Sequence, residues 1–290
     1  MTEYESGGQT AILLMKCPDH RGLVREIADF ITGNSGNILH ADNHLDFETR
    51  EFFGRFEWEL DDFAIAPQDI AGAFTPIAEK YSMEWQVRLS GEKPAAAIFV
   101  SKQPHCLLDL LHRWEIGEMP GTIAAVISNH AGLEPMLERY DAPFHHFPIT
   151  PQNKRAQEAK ELELLESLGV NVLILARYMQ VFSDDFIVHF PNSSINIHHS
   201  FLPAFTGPSP YARAYERGVK LIGATSHYVT PNLDAGPIIE QDVIRITHRD
   251  TLTDIIRKGR DLERVVLARA VRLHLEARIL SYANKTVVFD

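Results

Sequence analysis

The stretch Ser194-Ile-Asn196-Ile-His198-His-Ser200-Phe-Leu-Pro203 sets an amide and an imidazole two residues apart on otherwise apolar ground. In an extended strand residues i and i+2 share a face, so Asn196 and His198 point together while Ile195 and Ile197 take the other side. An amide donates hydrogen bonds and an imidazole titrates near neutrality, the residue types of oxyanion stabilisation and proton transfer. Either residue alone reads equally well as closing a strand-end loop. His199 is expected to turn away from His198, as a structural or rim residue. A second cluster, His227-Tyr-Val-Thr-Pro-Asn-Leu-Asp234-Ala-Gly236-Pro237, joins two apolar strands. Asp234 is there either a functional carboxylate or a turn former, and His227, inside a strand, either serves the site or hydrogen-bonds to the backbone.

The elements that must position these groups follow from periodicity. Up to residue 91 the pattern predicts strand (Ala11 to Lys16), helix (Gly22 to Gly33), strand (Asn37 to Asp46), strand (Glu51 to Leu60), helix (Gln68 to Tyr81) and strand (Glu84 to Leu89), one βαββαβ unit. Leu23, Ile27, Phe30 and Ile31 make one apolar stripe on the first helix, with Asp19 before it as a candidate N-cap. Alternation in Phe53-Gly-Arg-Phe56-Glu-Trp58-Glu-Leu60 predicts a sheet with one wet face and both helices on the other. The breaker cluster Ser90-Gly-Glu-Lys-Pro94 marks a boundary, dividing the chain into residues 1–91 and 92–290. Beyond it, continuous apolar strands such as Ala95 to Val100 and Val172 to Ala176 alternate with helices. They predict an open, mostly parallel, Rossmann-like α/β sheet whose ligand site lies past the strands' carboxyl ends. The segment from about Leu252 to Ile279 is expected to be one long amphipathic helix.

Composition narrows the function. The chain has 290 residues and a formal net charge of −11, which opposes binding to nucleic acid or an anionic membrane. Residues 1–91 carry 7 basic and 16 acidic side chains, so most of the negative charge lies there and an anionic small molecule meets less repulsion in the second part. No apolar run approaches the ~20 residues a membrane span needs. The first ten residues hold two glutamates and no basic residue, unlike a targeting peptide, so a cytoplasmic location is expected. Cys17 and Cys106 lie 89 positions apart and suggest neither a disulfide framework nor a zinc site. The first turn of the second sheet, Val100-Ser-Lys-Gln-Pro-His-Cys106, lacks the glycines that bring backbone to a pyrophosphate, and the next strand ends Ile127-Ser-Asn-His130 without an acid for ribose hydroxyls. NAD and FAD are therefore not expected.

Taken together, Ile195-Asn-Ile-His198-His-Ser-Phe-Leu-Pro-Ala-Phe205, His227 and Asp234-Ala-Gly-Pro237 resemble the folate-dependent formyltransferase fold of glycinamide ribonucleotide and methionyl-tRNA formyltransferases. The resemblance implies a catalytic set of Asn196, His198 and Asp234. It implies folate contacts from Arg177, Tyr178, Met179, Gln180 and Val181 in Leu175-Ala-Arg-Tyr-Met-Gln-Val-Phe182, and from His227, Val229 and Thr230. The first 90 or so residues, with Pro18-Asp19-His-Arg-Gly22 and Gly36-Asn-Ile38, resemble an ACT (ferredoxin-like) domain. ACT followed by formyltransferase is the arrangement of the formyltetrahydrofolate deformylase family. The loop Thr206-Gly-Pro-Ser-Pro-Tyr-Ala-Arg213 departs from the family's usual form.

That resemblance implies hydrolysis of 10-formyltetrahydrofolate, with no further cofactor and no metal, supplying formate for purine synthesis and balancing one-carbon folate pools. Two readings of the residues separate water from other acceptors: the glycine-free first turn offers no cradle for a phosphate, and net charge −11 suits no tRNA. Formyl transfer to a small amine and an amino-acid sensor that merely binds folate stand as the rival readings. An exposed sheet face and edge imply at least a dimer, and ACT domains imply an amino-acid effector, glycine or methionine first, near Asp19 and Gly22.

Overall fold

The computed structural model describes residues 8–140, 142–204 and 209–289. The first seven residues, read above for targeting, and residues 205–208 of the divergent loop lie outside the described residues. Two compact units result, one of residues 8–93 with Ala277–Leu280 and 287–289, the other of Pro94–Glu276 with Ser281–Thr286. Two short pieces from the chain's end thus belong to the first unit, a long-range association that a linear division at residue 91 does not contain. Among the described residues no helix is long and apolar enough to cross a membrane.

The first unit runs β1 (Thr10–Pro18), α1 (Leu23–Gly33), β2 (Ile38–Asp46), β3 (Glu51–Glu59), α2 (Ile70–Lys80) and β4 (Glu84–Leu89). Its sheet has the order β2-β3-β1-β4, antiparallel throughout. Ala11, Leu13, Met15 and Cys17 of β1 form one core with Leu23, Ile27 and Ile31 of α1 and Ile70, Phe74 and Ala78 of α2, so both helices cover one face. The other face is not the wet surface that the alternation predicts. Leu14 and Phe53 are buried there, and Arg55, opposite Leu14, donates through Nε to the carbonyl of Ala277 at 3.1 Å. The chain's own last residues cover ground expected to be open. Asp19 does not cap α1 either: the N-cap is Gly22 at φ 90°, with no side-chain hydrogen bond to the helix.

The second unit contains β5 (Ala95–Val100), α3 (His105–Glu115), β6 (Thr122–Ser128), α4 (Glu134–Leu137), β7 (Phe144–His146), α5 (Lys154–Ser167), β8 (Val172–Leu175), α6 (Asp184–Ile187), β9 (Ser194–His198), α7 (Pro210–Arg217), β10 (Leu221–Tyr228), β11 (Ile238–Arg245) and α8 (Leu252–Leu275). The sheet order is β11-β10-β9-β8-β5-β6-β7; the strands from β9 to β7 are parallel, and β10 and β11 run antiparallel. Every residue of β5 from Ala96 to Val100 is fully buried, which is why the strand reads as continuously apolar. Helix α8 opens with a Thr251–Asp254 capping box and stops at Leu275, short of the expected Ile279. Ala277 adopts φ 51°, which breaks the helix, and β12 (Ile279–Tyr282) and β13 (Lys285–Val288) form a small hairpin beyond it.

Candidate active site

Strand β9 ends where the chemistry begins. Its register against β10 sets Asn196 opposite His227 and His198 opposite Thr225. The hydroxyl of Thr225, wholly buried, donates to the carbonyl of Ser200 at 2.9 Å and accepts from the amide of Leu202 at 3.1 Å. Gln241 braces the same turn through Nε2, donating to the Thr225 hydroxyl at 2.9 Å and to the Leu202 carbonyl at 3.1 Å. The chain leaving His198 is thereby pinned from two neighbouring strands.

Asp234 enters from the loop between β10 and β11, in a left-handed conformation at φ 53°. The base of that loop is closed by the amide of Tyr228, which donates to the Pro237 carbonyl at 2.9 Å. Gly236 is required there, because a Cβ would fall 1.8 Å from the Tyr228 carbonyl oxygen. Asp234 Oδ1 then lies 3.2 Å from His198 Nδ1 and 3.8 Å from His227 Nε2. The hydrogen bond from His198, outweighing partial burial, holds the Asp234 carboxyl below its usual range, so the group is a carboxylate at neutral pH. With Nδ1 turned to Asp234, His198 Nε2 has no hydrogen-bond partner among the described residues.

His227 is neutral, its pKa lowered by burial against the opposing pull of the Tyr228 carbonyl and Asp234. Its Nδ1 lies 2.9 Å from that carbonyl, to which it donates. Nε2 is left as an acceptor for Asn196 Nδ2 at 3.2 Å. One amide N–H of Asn196 is used in this contact, and among the described residues the other has no partner.

Asn196, His198 and Asp234 line a cavity of about 800 Å³, and so do Arg177, Tyr178, Met179, Gln180, Val181, His227, Val229 and Thr230. The loop after β8 is fixed by Ser101 at the end of β5: its hydroxyl accepts from the Met179 amide at 3.0 Å and donates to Asn129 Oδ1 at 2.7 Å. Arg177 takes φ 65° at the strand exit, and Met179 and Val181 stand exposed at the mouth. The cavity opens past the carboxyl ends of β8 and β9, where an open α/β sheet offers ligands a crevice. Asp19 and Gly22 belong to the first unit and are not among its lining residues.

The formyl transferase family profile matches residues 95–271. A formyltetrahydrofolate deformylase of Synechocystis sp. is 55% identical over 280 residues, covering 97% of this chain and 98% of that protein. The crystal structure of a formyltetrahydrofolate deformylase from Pseudomonas syringae pv. tomato superposes with a TM-score of 0.96 at 46% identity, covering 99% of this chain and 96% of that one. This chain belongs to the formyltetrahydrofolate deformylase family. A glycinamide ribonucleotide transformylase from Symbiobacterium toebii, TM-score 0.64 at 32% identity, covers 69% of this deformylase-family chain and 96% of its own.

The deformylase-family cavity also holds groups that the motifs do not mark. His199 lines it, its ring 5.3 Å from that of His198 and 5.8 Å from that of Tyr211, instead of turning away. The strand stops at His198, so alternation no longer governs the next residue. Burial and the nearby Arg177 lower the His199 pKa to about 4, which leaves it neutral. Further along the wall stand His105, Tyr211 and Glu263. Glu263 had a signal in the sequence: it sits on the apolar stripe Ile255, Gly259, Leu262, Val266, Leu267 of α8, where a charged residue is out of place. His105, Cys106 and Glu263 bring ligand-type atoms within 4.8 Å of one another. The Glu263 oxygens are engaged by His105 and Tyr211, and burial foremost raises the Cys106 thiol well above its usual range. The arrangement is a hydrogen-bonded cluster around one buried carboxylate, which also faces Arg177 Nε at 3.4 Å.

Proposed function

We propose that this chain hydrolyses 10-formyltetrahydrofolate to tetrahydrofolate and formate, with Asn196, His198 and Asp234 as the catalytic residues. Near-full-length identity to deformylases supports the reaction. The observation that carries the assignment of roles is the His198 ring, held at Nδ1 by the Asp234 carboxylate at 3.2 Å and unpartnered at Nε2 inside the cavity.

In this reading the formyl group lies against Asn196 and His198, with the pterin held by the Arg177-to-Val181 loop and by Val229 and Thr230. Asp234 orients the attacking water. Water oxygen bonds to the formyl carbon, and the developing oxyanion takes the free Asn196 N–H and the protonated His198 Nε2. The bond from carbon to N10 then breaks; one water proton, relayed by Asp234 and His198, ends on N10, the other is lost to solvent, and formate leaves. An oxyanion donor of this kind is worth ~10²–10³ in rate and a positioned acid or base ~10²–10⁴. His227 positions Asn196 by accepting its other N–H.

The finer organisation belongs to the same proposal. The first unit acts as an ACT domain, binds an amino acid such as glycine or methionine near Asp19 and Gly22, and mediates assembly into at least a dimer. The enzyme works in the cytoplasm and supplies formate for purine synthesis. The test is acceptor-free turnover: purified protein with 10-formyltetrahydrofolate alone should release tetrahydrofolate and formate in equal amounts. Tetrahydrofolate release only when an amine is supplied, with the formyl group on the amine and no formate, would replace hydrolysis by transfer.

A further inference from the structure

His199 lines the cavity but belongs neither to the catalytic set nor to the cluster around Glu263. It feels the charges of Arg177 and Glu263 and also those of His198 and Asp234, which places it where the two groups meet. Its backbone is held on both sides: His198 pairs with Thr225 in the sheet, and the Ser200 carbonyl accepts from the Thr225 hydroxyl at 2.9 Å. Its ring is packed 5.3 Å from that of His198 and, edge-on, 5.8 Å from that of Tyr211, whose hydroxyl is tied to Glu263 at 2.5 Å. The ring is therefore fixed in place. Among the described residues nothing hydrogen-bonds to either of its nitrogens. A neutral imidazole has one nitrogen that donates and one that accepts, and partly buried polar groups of this kind call for a partner.

A water that attacks the formyl carbon turns a lone pair toward it and has two hydrogens to place. Asp234 accepts one of them in the mechanism above. Around His198 the other side chains have little to offer the second. Arg177 carries only donors, the Tyr211 hydroxyl is spent on Glu263, His227 Nε2 accepts from Asn196, and both Glu263 oxygens are engaged. The accepting nitrogen of His199 is unspent. With its pKa lowered to about 4 by burial and Arg177, the ring stays neutral; it can hold an O–H by its lone pair but is too weak a base to take the proton. We propose that His199 is a further catalytic residue, which holds the attacking water by accepting the O–H that Asp234 does not and so aims the water's lone pair at the formyl carbon. The proposal rests on the hydrolytic reading and deepens it, since it names the group that presents the nucleophile. Proton movement stays with Asp234 and His198.

The test compares matched substitutions in the full chain. His199→Asn and His199→Leu leave gaps of nearly the same size, but only the amide brings an oxygen that accepts. With 10-formyltetrahydrofolate and no amine, kcat of His199→Leu should fall ~10–10²-fold below wild type while KM stays within about threefold. His199→Asn should keep a kcat at least about fivefold above that of His199→Leu. Equal kcat in the two variants would reduce His199 to packing and overturn the proposal, as would wild-type turnover in His199→Leu or a loss carried by KM alone. Should His199→Leu fail to fold, His199→Gln and His199→Met, matched in the same way, are compared instead. The kcat profile of His199→Asn should keep the wild-type limbs between about pH 6 and 9; a limb that vanishes would show His199 taking the proton, contrary to the proposal. Absence of acceptor-free hydrolysis in the wild type would overturn the proposed function and this role with it, whereas an active wild type with equal variants overturns this role alone.

Discussion

Asp234 and Glu263 line one cavity and each faces a histidine, yet their surroundings are opposite in kind. Asp234 is 16% exposed, sits on a loop in a left-handed conformation, and pairs with a His198 whose second nitrogen is unused. Glu263 is 1% exposed, stands on a 24-residue helix, and has both oxygens engaged. The first arrangement keeps hydrogen-bonding capacity for something that arrives; the second consumes it internally. Chemistry is expected where capacity is left over, and rigidity where it is spent.

The largest effect should come from the reactive end. Asp234→Asn keeps the shape and removes the charge, so turnover should fall by at least ~10²-fold with little change in folate binding, read as kcat against KM. Near-normal turnover would reduce Asp234 to a turn former. Gly236→Ala attacks the same end through the backbone: its Cβ would collide with the Tyr228 carbonyl oxygen, displacing the Asp234 loop. A loss of ~10–10²-fold in kcat is expected, since an ångström of misplacement costs about that much. An unchanged rate would show that the loop's exact position does not matter.

At the saturated end the same kind of change should be read in stability. Glu263→Ala leaves Arg177 and His105 buried without their carboxylate, and breaking a buried pair in this way costs about 3–5 kcal/mol, visible as a lowered melting temperature. A stability loss for Asp234→Asn as large as that for Glu263→Ala would erase the contrast between the two ends.

How far the sequence revealed this contrast depends on the kind of signal. Asn196, His198 and Asp234 stood out because polar groups at strand ends and in a Gly-Pro loop interrupt apolar runs, while their joint role came only from the family resemblance. The parallel strands were legible for the complementary reason, burial on both faces. Glu263 left a trace, a charged residue on an apolar helix stripe, but no local pattern names its partners, because His105, Arg177 and Tyr211 come from other segments. The close of α8 was hidden because Ala277 breaks the helix without a glycine or proline, and Ile279 and Leu280 continue the apolar pattern. The covered second face of the first sheet depends on residues more than 200 positions away, beyond any local pattern, as the Arg55 to Ala277 hydrogen bond shows.

A third buried acid sharpens the comparison with a smaller effect. Glu161 on α5 is fully buried, and neither oxygen has a partner among the described residues. Burial, and secondarily Glu158, push its carboxyl up to about 8 from the usual 4.5. A folded-state pKa above the unfolded one means that the native state holds the proton more tightly. Its stability contribution is full below the unfolded pKa and is lost as pH rises through the folded one. Glu161→Gln should therefore match the wild type at about pH 4, begin to exceed it in stability above the unfolded pKa, and exceed it most at about pH 9, checked by denaturant unfolding at both ends. Parallel losses in the two proteins would mean that Glu161 is ionised throughout.

The central claim, that water is the acceptor at the Asn196–His198–Asp234 end, is tested most directly by the fate of oxygen. The purified protein is given 10-formyltetrahydrofolate in ¹⁸O-labelled water without any amine, and the formate is weighed by mass spectrometry. Attack of water on the formyl carbon predicts formate carrying one labelled oxygen, released with an equal amount of tetrahydrofolate, and a signal lost in Asp234→Asn. Consumption of the substrate without labelled formate, or labelled formate undiminished in Asp234→Asn, would contradict it.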